Sequence, residues 1–396
     1  MLVALLAIAA PAWAGPAFLD QGFILAAPAT GPFAGGVGAP TVDYDARTGT
    51  YAMYFESPTP TLPAECDTAY AIGRATSSDG VNWVVDAEPV LGPDLGTPGS
   101  PFHCVAAQPA IVFDGATWHL FFTMASEPVA EGQPNTSTGI GYATSADGTH
   151  FTVQSAPLIA YDGVTLGLPS AVIVDRVLYL MYVWRPDFRI ASIPLDGGTN
   201  WTIEERIVLY HSDAGDWALQ WVLGPSVYCE EDQTDPFSLV FGGDDDNNAR
   251  NLGYARSATG YTWSLDAENP LPVDTLDTSS LNHWDVLEAG ADALMWYSKT
   301  DPETGLKAIG HAVTAVAHDV AGPRMCPRPA PPDTGTTDTG TTDTAPTDTA
   351  GTDSTAETGS EPKDGGACGC ASPGGAEAAG LLVALAGLLI RRRRTG

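Results

Sequence analysis

One strand-and-turn segment recurs along this chain, at intervals of roughly 50 to 70 residues. The copies read AIGRATSSDGVNW from Ala71, GIGYATSADGTHF from Gly139, RIASIPLDGGTNW from Arg189, NLGYARSATGYTW from Asn251 and a shorter AIGHAVTA from Ala308. Repeats of this size indicate one supersecondary unit per copy, and neighbouring units must pack together because no single unit buries its hydrophobic face alone. We therefore expect a repeat protein with five units.

Two further strand-like runs precede each copy. APTVDYD and YAMYFES come before the first copy, and QPAIVFD and WHLFFTMAS come before the second. The runs are short, rich in β-branched and aromatic residues, and bounded by Gly, Pro, Asp and Asn, which favours strands. With the segment after the turn, each unit is predicted to be a four-stranded antiparallel meander, with strands A to D. Five such meanders, arranged radially, form a five-bladed β-propeller. The sequence therefore predicts an all-β fold of this type.

The last copy lacks an obvious strand D. The segment FLDQGFILAAPATGP near the N-terminus resembles the strand D segment WVVDAEPVLGP of the first unit. We therefore predict that residues 18 to 27 supply the outer strand of the last blade and close the ring. The alternative is an unpaired leader, which would leave one blade incomplete.

Meander geometry assigns the loops to two faces. Connections from D to A and from B to C share one face, while A-to-B and C-to-D turns share the opposite face. Asp79 lies on a C-to-D turn, so it is expected to accept backbone hydrogen bonds that close the turn, with Trp83 packing between blades. The predicted site is on the other face.

Six cysteines fit an oxidising compartment, and none has the CxxC spacing of zinc or redox sites. Cys66 and Cys104 fall on one face of neighbouring blades, and Cys229 and Cys326 fall on the opposite face. Disulfides 66–104 and 229–326 are consistent with this arrangement, although four cysteines allow three connectivities.

The ends of the chain differ from its centre. Residues 1–14 are predicted to be a signal peptide, because an apolar run ends in Ala12-Trp13-Ala14, a small-x-small pattern before Gly15; a buried strand is the alternative. The propeller then spans residues 15–326. Residues 327–366 are dominated by Thr, Asp, Pro, Gly and Ser, which predicts a disordered stalk. With a formal net charge of -31, nucleic acid is excluded as a partner.

Residues 367–396 contain a Cys-Gly-Cys cluster, an apolar run and four arginines, Arg391 to Arg394. This order resembles the myxobacterial C-terminal sorting signal. The resemblance implies that an intramembrane sorting protease cuts near Cys368 or Cys370, that one of these cysteines is processed, and that the exported domain stays attached to the outer cell surface. A simple tail anchor is the alternative, and in both cases only the tail touches the membrane.

The A-[ST]-S-x-D-G-x-x-W turns and the five units resemble the superfamily of five-bladed glycoside hydrolases that includes arabinanases, xylosidases, fructosidases and levansucrases. The resemblance implies catalytic carboxylates at the central channel, with Asp residues beginning inner strands, often as Asp-Pro, and a Glu as general acid. Here the corresponding dipeptides are Ala39-Pro40, Gln108-Pro109, Leu168-Pro169 and Gly224-Pro225. Only Asp285, in His283-Trp284-Asp285, is an acid near the expected level, so it is the candidate catalytic residue.

Ligand binding makes weaker demands than hydrolysis, since it needs a concave site with a few polar groups and aromatic faces. The candidate ligand-binding residues come from channel-facing strands or loops: His103, Gln108, Trp184, Arg185, Trp221, His283 and Trp284. His283 is also a possible ligand for calcium, since related arabinanases hold calcium through a histidine of the last blade; no cofactor is otherwise required. Further carboxylates on this face are expected to be solvated loop charges: Glu56, Glu127, Asp187 and Asp244 to Asp246.

These features predict an exported, surface-attached, glycosidase-like propeller that binds or hydrolyses extracellular glycan. A noncatalytic glycan-binding or adhesion module and a structural surface protein are the alternatives. Sialidase-type propellers with an S-x-D-x-G-x-x-W turn rank lower, because the turn here is one residue shorter and only five repeats are visible.

Overall fold

The computed structural model describes residues 16–60, 66, 69–92, 104–125, 139–160, 166–198, 200–230, 234–271, 276–289, 292–314 and 325–326. The strands in these ranges are β1 (Leu19–Leu25), β2 (Gly38–Asp45), β3 (Thr50–Pro58), β4 (Tyr70–Ser77), β5 (Val84–Val85), β6 (Val105–Phe113), β7 (Trp118–Ala125), β8 (Gly139–Ser145), β9 (Thr152–Val153), β10 (Ile159–Ala160), β11 (Leu166–Val174), β12 (Val177–Trp184), β13 (Asp187–Pro194), β14 (Thr202–Ile203), β15 (Trp221–Cys229), β16 (Phe237–Asp244), β17 (Arg250–Ser257), β18 (Ser264–Leu265), β19 (His283–Ala289), β20 (Asp292–Thr300), β21 (Lys307–Val313) and β22 (Met325–Cys326). One short α-helix, α1 (His211–Ala214), and two 3-10 turns, Asp216–Ala218 and Thr278–Ser280, lie among them.

Antiparallel pairing joins consecutive strands into meanders of the kind that the repeats predicted. The first meander is β2 to β5, the second is β6 to β9 with β10, the third is β11 to β14 and the fourth is β15 to β18. The fifth is β19 to β21 with β1 as its outer strand. The first two belong to one nine-stranded sheet only through a single parallel bridge between Tyr70 and Val105. The fold is all-β, and these sheets are of the β-propeller type.

Strand β1 confirms the prediction that the N-terminal segment completes the last meander. It pairs antiparallel with β21, with Leu19 opposite Val313 and Leu25 opposite Ile309. The hydroxyl of Tyr297 donates a 2.5 Å hydrogen bond to the carboxylate of Asp20. Residues near the N-terminus are thus held in the same sheet as β19 to β21.

The hydrophobic core lies between meanders. Five clusters of buried side chains each draw on two meanders that follow one another, and one of them joins the fifth meander to the first. In that cluster Trp296 of β20 is fully buried, with its ring centroid 6.1 Å from Tyr51 and 6.3 Å from Trp83. Burial of such aromatic surface is the main stabilising term between sheets.

A glycine on the third strand of four meanders makes room for an aromatic ring of the second strand. Gly73 pairs with Phe55, and Gly141 pairs with Phe122. A Cβ atom at Gly141 would lie 2.4 Å from the ring of Phe122. In the third meander Arg189 takes this place opposite Tyr182, which explains why the IG pattern of the other copies is absent there.

The turn after β4 has the role that its sequence predicted. The Asp79 carboxylate accepts hydrogen bonds from the backbone N–H groups of Val81 and Asn82 at 2.9 and 2.7 Å. These bonds lower the pKa of Asp79 far below its usual range. Trp83 donates from its ring nitrogen to the carbonyl of Gly80. Asp79 therefore stabilises the turn and lies away from the predicted site.

Inner strands β2, β6, β11, β15 and β19 begin on one face of the fold, which we call the entrance face, and end on the opposite face. Both predicted disulfides are formed, between Cys66 and Cys104 and between Cys229 and Cys326. Cys229 is the last residue of β15, and β22 pairs parallel with the end of β11, with Cys326 next to Val174. The second disulfide therefore lies on the opposite face, beside the inner strands.

Candidate functional site

A cavity lies at the centre of the entrance face, where the inner strands begin. It is lined by one dipeptide from each meander: Ala39-Pro40, Gln108-Pro109, Leu168-Pro169, Gly224-Pro225 and His283-Trp284. The cavity encloses about 20 Å³ between these residues, which is space for a water molecule and not for a sugar ring. The dipeptides are the positions that the sequence identified as starts of inner strands, so the prediction that they converge at the channel is confirmed.

The residue before each proline in the ring has a left-handed backbone. Its φ is 42° at Ala39, 50° at Gln108, 50° at Leu168 and 54° at Gly224. The pairing register of each of these strands shifts at the same place. Bulges and left-handed non-glycine residues are concentrated next to functional sites in proteins, because they redirect side chains at an energetic cost. The repeated bulge therefore marks the ring as the centre of the candidate site.

Asp285 does not face this cavity. It is 4% exposed, and its carboxylate accepts a 2.7 Å hydrogen bond from the backbone N–H of Val42 and a 3.0 Å bond from the hydroxyl of Ser226. The same kind of bond recurs between other meanders, since the Thr41 hydroxyl oxygen accepts from the N–H of Ile111 and Ser226 accepts from Val286. Asp285 thus joins the last inner strand to the first, and its catalytic role stays a prediction.

Glu56 is the carboxylate nearest to the ring, and it is not the solvated loop charge that the sequence suggested. Its side chain is 5% exposed. One oxygen accepts a 3.1 Å bond from the backbone N–H of Gln108, and the other is 3.1 Å from the ammonium of Lys307. The expectation was wrong because Glu56 lies within the strand run YAMYFES, where the N–H of Gln108 and the ammonium of Lys307, both from other meanders, pack against its carboxylate.

Asp187 and Asp244 are likewise buried and paired, against expectation. Asp187 accepts a 2.6 Å bond from Nδ1 of His211. Asp244 accepts two bonds from the guanidinium of Arg250, at 2.8 and 3.0 Å, and a third from the ring nitrogen of Trp221 at 2.9 Å. Asp246 is exposed and Asp245 is partly exposed, as expected for loop charges.

His283 lines the cavity, but its environment does not suit a cation. Burial lowers the pKa of His283 to about 4, against the opposing influence of Glu56 and with help from Lys307 and Arg250. The imidazole is therefore neutral near pH 7, and its Nδ1 is buried with no hydrogen-bond partner. Calcium takes six to eight oxygen ligands, whereas the described lining supplies prolines, apolar side chains and one amide. These residues do not fit a calcium ion, and no chemistry is derived from one.

Gln108 is held in place by hydrogen bonds within the ring. Its amide oxygen accepts a 2.7 Å bond from the hydroxyl of Thr123, and the same oxygen is 3.4 Å from the backbone N–H of Leu168. The side chain therefore bridges the second and third meanders. Its amide nitrogen is the remaining donor for a ligand.

The three candidate tryptophans have different surroundings. Trp284 is 4% exposed and packs in the core between the fourth and fifth meanders. Trp184 and Trp221 are half-buried, and each has an arginine over its ring: Arg189 at 3.8 Å from the centroid of Trp184, and Arg185 at 3.7 Å from that of Trp221. These ring faces are therefore occupied.

Several predicted residues lie outside the described ranges: His103, Glu127, Cys368 and Cys370. Within those ranges, no group of three or more His, Cys, Asp and Glu side chains could hold a metal ion. Likewise, none of the helices described has the length and hydrophobicity needed to cross a bilayer.

Sequence reasoning missed the cations that neutralise the carboxylates of this face. Lys307 is separated from Glu56 by 251 residues along the chain, so no local pattern relates them. It also missed Thr123, which holds Gln108. The repeat itself contained the signal for the Asp285 bond, because Thr41, Ser170, Ser226 and Asp285 occupy the same position, two residues after the start of each dipeptide.

Comparison with known proteins is informative only at the level of structure. No protein-family model matches the chain, and no curated protein matches its sequence. Solved structures do match. One belongs to a study of the GH130 family of mannoside phosphorylases, which contains glycoside hydrolases that target β-1,2-mannosidic linkages in Candida mannan. It has a TM-score of 0.56 and 16% sequence identity, over 80% of this chain and 98% of that one.

Two further structures are similar in the same way. A glycosyl hydrolase from Bacteroides ovatus has a TM-score of 0.53 and 14% identity, over 77% of this chain and 93% of that one. The catalytic domain of a GH62 α-L-arabinofuranosidase from Coprinopsis cinerea has a TM-score of 0.51 and 14% identity, over 74% and 98%. At these identities the likeness shows the fold, and the structural neighbours are propellers of glycoside hydrolase type.

Proposed function

We propose that this protein is a five-bladed β-propeller that binds extracellular glycan at its entrance face without cleaving it. The blade number is supported by the ring of dipeptides, one from each of five meanders, around one cavity. It is also supported by the core clusters, which include one between the fifth and the first meander. Each meander is then one blade.

The state of the carboxylates carries the proposal that the protein is not catalytic. Glycoside hydrolysis needs one carboxylic acid that can give up a proton and one carboxylate that is free to act as base or nucleophile. On the described entrance face Glu56 and Asp244 each form a salt bridge with a basic side chain, and Asp187 accepts a hydrogen bond from Nδ1 of His211. Asp285 is buried and accepts bonds from the adjacent blades. The four residues that precede the prolines are Ala, Gln, Leu and Gly, which transfer no protons.

A glycan array combined with a reducing-sugar assay tests this function. The whole chain, purified in mild detergent, is expected to bind at least one glycan on the array and to release no reducing sugar from it. Sugar release that a Glu56→Gln or Asp285→Asn substitution abolishes, at unchanged thermal stability, would contradict the proposal.

Hydrolysis is the second candidate, and one observation favours it. The matching structures are described as glycosidases and hydrolases, and here the catalytic acid would be Asp285, as the sequence predicted. Release lost in Asp285→Asn but kept in Asp301→Asn, a substitution in an exposed turn of the same blade, would establish this candidate.

We also propose that the propeller is exported and attached to the outer cell surface through its C-terminal tail. Two disulfides are typical of an oxidising compartment. The leader of residues 1–14, the stalk of residues 327–366 and the Cys-Gly-Cys tail supply the export, spacing and attachment signals. Substituting both Cys368 and Cys370 by Ala is expected to release the protein into the medium or to leave it unprocessed. Surface labelling equal to that of the unsubstituted chain would contradict attachment through these cysteines.

A further inference from the structure

Two arginines stand apart from the other basic residues that the structure describes. Of the ten Lys and Arg residues in the described ranges, eight form salt bridges with carboxylates. The other two, Arg185 and Arg189, both come from the third blade, and each has its guanidinium over a tryptophan ring. In a chain with 48 acidic and 17 basic residues, an arginine without a carboxylate is unusual. Of these two, Arg185 is the exposed one.

The position of Arg185 is fixed by its neighbours. It follows β12, on the turn that leads into β13 at the entrance face. The carbonyl of the next residue, Pro186, accepts a 3.0 Å hydrogen bond from the N–H of Val222, which follows Trp221 in β15. The turn of one blade is thereby held against the inner strand of the next, with the guanidinium carbon 3.7 Å from the centroid of the Trp221 ring.

Among the described residues, no carboxylate forms a salt bridge with Arg185. Asp244 is the acidic side chain whose charge acts on it, but that carboxylate already receives two bonds from Arg250 and one from Trp221. Arg250 in turn donates a 2.6 Å bond to the carbonyl of Leu281, so its own position is also fixed. Partial burial and the nearby Arg250 charge lower the pKa of Arg185, although it stays charged at all physiological pH values.

The Trp221 ring lies against one face of the guanidinium, and the N–H donors point outwards from its edge in the guanidinium plane. An arginine presented in this way binds a planar anion through two parallel N–H bonds. Its stacking partner reduces the entropy lost on binding, because the side chain is already held in one orientation. Trp221 is therefore a positioning residue for Arg185 and not a platform for a sugar ring.

We infer that Arg185 binds the carboxylate of an acidic sugar, so that the glycan recognised at the entrance face contains uronic acid. This inference rests on the proposed function. Arg185 lies at the rim, on Trp221, three residues before the cavity-lining Gly224. A uronate bound there would place the adjoining sugars over the central cavity.

Paired polysaccharides test the inference. Pectate, alginate and hyaluronate, each in its native form and after reduction of its carboxylates to hydroxymethyl groups, are compared for binding to the whole chain by biolayer interferometry. We expect at least one native polysaccharide to bind, and its reduced form to bind about tenfold to a hundredfold more weakly, the range for a charged bidentate contact. Arg185→Gln should weaken binding of the native form by the same factor and leave the reduced form unaffected.

Two control variants separate the effect of the Arg185 charge on binding from effects on the structure. Arg176→Gln removes an arginine from the opposite face of the same blade, where it pairs with Asp196, and should leave binding unchanged. Trp221→Leu keeps Arg185 but removes its support, so it should weaken binding of the native form and have little effect on the reduced form. Each variant is checked by thermal unfolding.

Equal binding of native and reduced forms, or native binding that Arg185→Gln leaves intact, would overturn the inference while the proposed function stands. Preference for a sulfated over a carboxylated glycan would also overturn it. Absence of binding to these polysaccharides and to every glycan on the array would overturn the proposed function together with the inference.

Discussion

The carboxylate of Asp285 accepts a hydrogen bond from the backbone N–H of Val42, which lies 243 residues away in the chain, at 2.7 Å. Asp285 is in β19 and Val42 is in β2, so the bond joins the last inner strand to the first. The other oxygen of Asp285 accepts from Ser226 of β15. A single buried side chain thus links three inner strands, at a position where three of the other meanders have a hydroxyl.

This relationship predicts a stability effect. Asp285→Ala leaves the buried N–H of Val42 without an acceptor and should lower the free energy of unfolding by about 2 kcal/mol. Asp285→Asn keeps one carbonyl acceptor and should have a smaller effect. Chemical denaturation of both variants measures the difference. Equal stability of Asp285→Ala and the unsubstituted chain would show that the bond contributes nothing.

The buried pair of Glu56 and Lys307 predicts an asymmetric response to substitution. Lys307→Met leaves the buried carboxylate of Glu56 without its cation, so it should lower the free energy of unfolding by about 1 to 3 kcal/mol. This loss is smaller than for a fully buried pair because the lysine side chain is 36% exposed. Lys299→Met, which breaks a bridge to the exposed Asp277, should change stability by less than about 1 kcal/mol. Thermal and urea unfolding at neutral pH compare the two variants; equal losses would contradict the role of burial.

Because His283 is buried in its neutral form, we expect it to make the folded protein less stable in acid. Its pKa in the folded protein is about 4, below the ordinary value of 6.5, so the unfolded chain binds a proton more readily. The stability that neutral His283 contributes is therefore complete above pH 6.5 and is lost as the pH falls towards 4. His283→Gln should lose less stability than the unsubstituted chain between pH 7 and pH 4.5. Parallel pH profiles for the two proteins would exclude this contribution.

Gly141 packs against the ring of Phe122, so we expect a larger residue at position 141 to overpack the sheet. Gly141→Ala places a Cβ atom 2.4 Å from that ring, which should cost about 1 to 3 kcal/mol as the strands shift. Gly92→Ala is the matched control, because no atom lies within 4 Å of the added carbon there. Urea unfolding compares both with the unsubstituted chain, and an unchanged midpoint for Gly141→Ala would show that the sheet adapts without cost.

Local features of the fold could be predicted from the sequence, because each depends on a pattern within one repeat. The turn around Asp79 and the strands before it were predicted from residue types and spacing. The role of the N-terminal strand was predicted from its resemblance to a strand D segment. The two disulfides were consistent with the repeat, since equivalent positions in successive meanders lie on the same face, although three connectivities were open. These predictions needed no knowledge of how the sheets pack.

The environment of the candidate site could not be predicted in the same way. Whether Glu56 is solvated depends on Lys307 from another blade, and whether Trp221 is free depends on Arg185. Such contacts are set by the relative placement of neighbouring sheets, which a repeat pattern does not encode. The tryptophans were assigned to ligand binding from their residue type and their expected place on channel-facing strands or loops, whereas an arginine lies over one face of the ring of Trp184 and of Trp221.

The disulfide between Cys229 and Cys326 has a mechanical consequence. Cys326 belongs to a two-residue strand on the face opposite the entrance, and the chain continues from there towards its C-terminus. If the protein is attached through its C-terminal tail, as proposed above, a pull on the tail would reach the described fold at Cys326. Such a force would easily separate a two-residue strand from β11, but the disulfide would pass it to the end of β15, the inner strand of the fourth meander.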